Sequence, residues 1–183
     1  MRKIIIGVLF LANFQSSLAQ DLYIVSKANV SFDSDAPLEL IKASSDQLTG
    51  IIDISNRSFA FRIPMNSFKG FNSTLQQSHF NEHYIESATY PLAIFEGKII
   101  EEINFDIPGK YNVRGKGSLI FHGVTQERII KCDLVISPDK IIVNNNFTIL
   151  LVDHNIKIPT VVNQKIAEEI VVHTEIELVS KEP

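Results

Sequence analysis

The chain has 183 residues, with 17 basic against 21 acidic side chains, a formal net charge of −4 and one cysteine. That length suits one domain and is short for two. The acidic balance argues against nucleic-acid binding, which needs a clustered basic face, and a single cysteine excludes an internal disulfide.

The first stretch, "MRKIIIGVLFLANFQSSLAQ", opens with Arg2 and Lys3, runs apolar from Ile4 to Phe14 and ends in Ser17-Leu18-Ala19. A charged start, a short apolar run and small residues at a cleavage point are the three parts of a secretory signal. The run is shorter than the about 20 residues of a membrane span, and it has no polar face, as a buried surface element would. Residues 1–19 are therefore expected to be removed, leaving a single domain over 20–183. Loss of Arg2 and Lys3 from the 17 basic side chains leaves 15 against 21 acidic, so the exported domain is more acidic still. No later apolar run is long enough for a transmembrane span.

From there the dominant period is two, the mark of half-buried strands. Strands are expected over 22–33, 37–44 and 48–55. In "RSFAFRIPM", Phe59, Phe61, Ile63 and Met65 fall on one side, with Ser58, Ala60 and Arg62 on the other. Residues 66–90 break the alternation and have helix-compatible spacing, so a short helical segment is expected near 72–88. Further strands are expected over 93–105, 110–117 and 128–137. "GSLIFHG" sets Leu119 and Phe121 in phase, and "NNFTILLVD" does the same for Phe147, Ile149 and Leu151. Near the end, Ile170, Val172, Thr174, Ile176 and Leu178 alternate with His173, Glu175 and Glu177, after a second short helical turn expected around Val161–Glu169, chiefly Gln164 to Glu169. Pro108-Gly109, Ser137-Pro138-Asp139 and Asn144-Asn145-Asn146 read as turns between strands.

Eight or more short strands predict an all-β fold, a sandwich or an up-and-down barrel, and the short links favour antiparallel neighbours. In a barrel Phe59, Phe61, Phe95, Phe121 and Phe147 would point inward. A packed core and a lined cavity use the same residue types, and eight strands is the size at which either occurs.

Catalytic motifs are thin. No glycine-rich phosphate loop, Gly-x-Ser-x-Gly elbow, His-Glu-x-x-His or Cys-x-x-Cys is present. In "SHFNEHYIESATYPLAIF", His79 and His83 stand four apart and would share one helix face, where they could hold a metal ion with a third ligand from His122, His154, Glu86 or Asp153. Asp153 and His154, read as neighbours on a strand, would face opposite ways. Cys132 alternates with Lys131 and Asp133 beside Ile130 and Leu134, the pattern of a buried thiol.

Several stretches together resemble the YceI-like family of exported bacterial proteins. They are "VSFDSDAPLELIKA", "LTGIIDI", the long run from "FAFRIPM" to "ATYPLAIFEGKI" with its His-Phe pair and x-Pro-x-x-x-Phe entry to the next strand, "GKGSLIFHGVTQERII" and "FTILLVDHNIKIP". The resemblance implies an antiparallel lipocalin-like β-barrel of about eight strands that binds polyisoprenoid or another long-chain lipid or amphiphile in the periplasm or as a secreted protein, without catalysis or cofactor. Carried onto this chain, it implies a ligand-binding wall of Phe59, Phe61, Ile63, Phe95, Leu119, Phe121, Phe147 and Ile149. Phe68, Phe71, Phe80 and Tyr84 would cap one mouth, with His79 as a polar contact there. Two other readings stand beside it: a small metal-dependent enzyme using His79 and His83, and a packed barrel that serves structure or interaction alone. Pairing of two copies as a homodimer is compatible with each.

Overall fold

The computed structural model describes residues 22–181, so the expected signal segment at 1–19 lies outside the described residues. The described residues form nine strands: β1 (Leu22–Ala36), β2 (Glu39–Ser45), β3 (Thr49–Asp53), β4 (Ser58–Pro64), β5 (Leu92–Ile99), β6 (Gly109–Phe121), β7 (Val124–Ile136), β8 (Lys140–Leu150) and β9 (Glu169–Ser180). Each pairs antiparallel with its neighbour, and β9 returns to pair with β1 from Tyr23↔Ser180 to Asp33↔Val171. The sheet is thus a closed antiparallel barrel of eight strands, with β2 and β3 sharing one edge of β1.

Those two strands are one long strand interrupted. Ser45 lies opposite Val30 and Ile51 opposite Ile24, so no residue is gained or lost in register across the break. Between them the chain opens away from β1. On its other edge β2, which stays paired with β1, makes an isolated bridge to Lys69, whose N–H and carbonyl bond Ser44 at 2.8 Å each way.

The alternation read in the sequence sets which side chains face inward. On β4, Phe59 and Ile63 are buried and Arg62 exposed; on β9, Val172, Ile176 and Leu178 are buried. On β1 the phase changes once. A bulge at Ser26 shifts the β9 register between Val25 and Lys27, so Tyr23 and Val25 pack inward before it and Ala28, Val30 and Phe32 after it. The β6–β7 hairpin turns on two residues with positive φ, His122 at 49° and Gly123 at 71°, as a primed two-residue turn requires.

Several expectations change. Asn144-Asn145-Asn146 is not a turn but the middle of β8, where Asn144 and Asn146 face outward and Asn146 Oδ1 meets His173 Nδ1 at 2.6 Å. The strand expected over 93–105 ends at Ile99, because Phe105 in the following loop turns in to fill the barrel end. The expected strand 110–117 and the Leu119/Phe121 stretch are one strand, β6. The short helical turn expected around Val161–Glu169 is a 3₁₀ turn at Thr160–Val162, at the start of that range, and Gln164 to Glu169 are not helical. Asp153 and His154 belong to a 3₁₀ turn, Leu151–His154, rather than to a strand. The helical segment expected near 72–88 is α1 (Thr74–His79), continued by a π-helical turn at Phe80–Tyr84.

The barrel's two ends differ. Where the β3–β4, β5–β6 and β7–β8 links lie, Ile99, Phe105, Ile136, Ile141 and Leu178 are buried together and fill the interior. At the other end lie the β1–β2 turn, the segment between β4 and β5, and the segment between β8 and β9.

Candidate functional site: an apolar cavity in the barrel

Above that filled floor, the inward side chains leave a cavity of about 530 Å³. Apolar atoms make up most of its wall, and the size lies within the range typical of small-molecule sites. The wall is asymmetric. From β4 and β5 come Phe59, Phe61, Ile63 and Phe95, with the Phe59 ring centroid 5.0 Å from that of Phe95 and 5.9 Å from that of Phe61. Room for these rings comes from small neighbours: Gly115 lies under Phe59, where a Cβ would stand 3.2 Å from the ring. Beside them Leu119 and Phe121 of β6, and farther round the barrel Phe147 and Ile149 of β8, complete the wall.

The cap is built on a second aromatic group. Phe68 and Phe71 follow β4, and Phe80 begins the π-helical turn. All three close on Phe32 of β1, which stacks on Phe80 at 5.5 Å and meets Phe68 at 5.5 Å and Phe71 at 6.0 Å. Tyr84 also borders the cavity, and burial pushes its hydroxyl above the ordinary phenol value, so it stays neutral. The opening lies between α1 and the segment before β9. Exposed Leu75 and Ser73 line it on one side, and Val162 and Lys165 on the other.

The thirteen residues that the sequence assigned to the wall and cap all border this cavity. His79 does so from an exposed position on the rim, 5.3 Å ring to ring from the equally exposed His83. The other donors considered for a metal site lie elsewhere and are engaged. His122 Nδ1 meets the His154 carbonyl at 2.8 Å and its Nε2 meets Glu86 Oε2 at 3.0 Å. Both ring nitrogens of His122 are thus engaged. His154 is fully buried, with Nδ1 donating to the Phe121 carbonyl at 3.1 Å and Nε2 without a partner among the described residues. Burial pushes its imidazole below the ordinary histidine value. Among the described residues no three His, Cys, Asp or Glu side chains converge on a metal-sized point.

Phe32 escaped the sequence reading, although it is the hub of the cap. Its position two residues beyond Val30 carried the signal, but the bulge at Ser26 hides which face of β1 is inward. Asn145 escaped as well, because an asparagine run imitates a turn. Cys132 borders the cavity too, and burial pushes its thiol up to about 11, so it is an un-ionised, weakly polar part of the wall.

A closed antiparallel barrel of eight strands around an apolar cavity, capped by an aromatic helical segment, is the class of protein these features define. The chain belongs to the YceI-like family: residues 23–178 match the YceI-like domain. Among solved structures it is similar to a polyisoprenoid binding domain from Saccharophagus degradans, implicated in plant cell wall breakdown, at 18% identity and TM-score 0.74, covering 87% of this chain and 98% of that one. It is also similar to Burkholderia cenocepacia BcnA, at 16% identity and TM-score 0.66, covering 82% and 95%. A third is the Campylobacter jejuni YCEI protein, at 15% identity and TM-score 0.54, covering 98% and 92%. At such identities the likeness speaks for the fold. No curated protein matches the chain in sequence.

Proposed function

We propose that this protein is exported and holds a long apolar or amphipathic chain, a polyisoprenoid or similar lipid, inside its barrel for transport, storage or sequestration, without catalysing its conversion. The observation that carries this reading is the cavity of about 530 Å³ enclosed by aromatic and aliphatic side chains. The polyisoprenoid binding of the Saccharophagus domain, which shares the fold, supports the choice of ligand class. Energetically the cavity is sufficient. Each methylene moved from water into such a wall contributes about 0.8 kcal/mol, so about ten carbons give roughly 8 kcal/mol before the costs of association. Burial of this kind has little direction, so tight binding and broad chain selectivity go together.

The test is uptake of a fluorescent long-chain lipid by wild type and by Phe61→Asp. Phe61 borders the cavity and is only half-buried, so the fold tolerates a change there better than at Phe59. A carboxylate facing the chain costs several kcal/mol in desolvation, and uptake should fall at least about tenfold. Undiminished uptake by a folded Phe61→Asp protein would contradict the reading.

A further inference from the structure

Away from its mouth, the cavity wall is mostly apolar, and two polar side chains interrupt it. Asn145 of β8 and Thr174 of β9 lie directly opposite each other in the strand register, and both side chains border the cavity. Asn145 Oδ1 and Thr174 Oγ1 are buried and have no hydrogen-bond partner among the described residues. The Asn145 amide nitrogen has only the Cys132 sulfur, at 3.8 Å. Turning the amide over would exchange an unpaired acceptor for an unpaired donor, so the pair offers both kinds of group in either orientation.

Such a pair is costly where it stands. Asparagine is depleted in strands, and a buried polar atom without a partner destabilises the fold. The neighbouring inward positions of β8, Val143 and Phe147, are apolar, so the strand has no local need for an amide there. The site lies deep. On β8 Val143, and on β9 Ile176, are the next inward residues toward the filled floor. Within the barrel cavity the carboxylate, lysine and arginine side chains are Glu39, Arg62 and Lys165, which lie toward the opposite, open end. On its outer side the pair also borders a second, polar cavity, lined by Glu101, Arg114, Lys131 and Asp133 among others.

Taking the barrel as a lipid holder, we propose that Asn145 and Thr174 form a recognition point for an uncharged hydroxyl or carbonyl group carried on the buried end of the lipid. The ligand class is then a long-chain alcohol or ketone seated with its polar end toward the floor. A phosphorylated lipid would find no lysine or arginine on the barrel-cavity wall at that depth and would keep its head at the mouth.

The test uses purified protein freed of bound lipid and the displacement of 1-aminoanthracene by three chains of equal length: geranylgeraniol, the corresponding hydrocarbon without the hydroxyl, and geranylgeranyl diphosphate. Wild type should prefer the alcohol to the hydrocarbon by about tenfold, the size expected when buried polar atoms gain partners. In Asn145→Leu/Thr174→Val that preference should vanish while the hydrocarbon still binds, and the affinity for the diphosphate should be the same in both proteins. Equal affinity of wild type for alcohol and hydrocarbon would overturn the recognition point and leave the lipid-holding barrel standing. Displacement by none of the three would overturn both. The wild-type comparison decides even if the double variant does not fold.

Discussion

Gly97 and Gly117 face each other across β5 and β6, and a Cβ on Gly117 would overlap the Glu96 carbonyl oxygen. The strands approach so closely there that neither position has room for a side chain. Gly117→Ala should therefore destabilise the barrel by about 1–3 kcal/mol, as overpacking does, and a urea titration would show it as a lowered midpoint; an unchanged midpoint would contradict the close approach. His154 makes a second residue-scale prediction. Burial first, then the nearby Arg128 charge, holds its imidazole below the usual value, against a raising contribution from the Phe121 carbonyl. An unfolded histidine titrates near 6.5. Below that pH the unfolded chain binds a proton that the folded chain refuses, so this contribution to stability is present above about 6.5 and is lost as pH falls through the folded value. Denaturation midpoints at pH 7.5 and 5.5 should fall further apart in wild type than in His154→Leu. Equal differences in the two proteins would show that His154 is not held neutral by its surroundings.

In the cap between β4 and β5, Ser73 caps α1, its Oγ accepting from the Gln76 N–H at 3.1 Å, and Gln77 Nε2 reaches back to the Phe68 carbonyl at 2.9 Å. Asn72 Nδ2 and Gln76 Nε2 donate to the Leu40 carbonyl and Glu39 Oε1 of β2. Over the cavity itself the hold is aromatic, through Phe80 on Phe32 and Phe71. Such ring pairs contribute about 0.5–1.5 kcal/mol each, so Phe80→Ala should speed release of a bound fluorescent lipid several-fold in a stopped-flow experiment. Release at the wild-type rate would mean that the cap does not control exit. How far these elements were legible in the sequence depended on what each one buries. β4 and β9 read correctly because one face meets the core and the other meets water, and nothing interrupts the period. β1 kept its length but hid its inward face, since one extra residue at Ser26 reverses the phase. The asparagine run and the residues after Ile99 were misread for the same physical reason. Local propensity favoured a turn at one and a strand at the other, and contacts distant in sequence decided otherwise: β9 pairing holds Asn144–Asn146 extended, and the barrel end draws Phe105 inward. The wall of the candidate site was legible because it follows strand phase, whereas its polar point and the Phe32 hub were not.

At the scale of the whole molecule, closure of β1 on β9 removes the free sheet edges of an open sheet, and the glycines under Phe59 and Phe61 let large rings enter without filling the interior. The closed floor and the cap at the other end leave an apolar space between them. That arrangement suits an occupant bound by burial and released through the cap. The contacts of His122 and His154 tie the cap and the segment after β8 to the β6–β7 hairpin. The most direct test of a lipid inside this barrel is organic extraction of the protein purified from its native host, followed by mass spectrometry. A single long-chain lipid class, recovered at about one molecule per protein and missing from extracts of Phe61→Asp, is the expected result. A lipid-free extract from folded wild-type protein that also fails to take up added lipid would contradict the account.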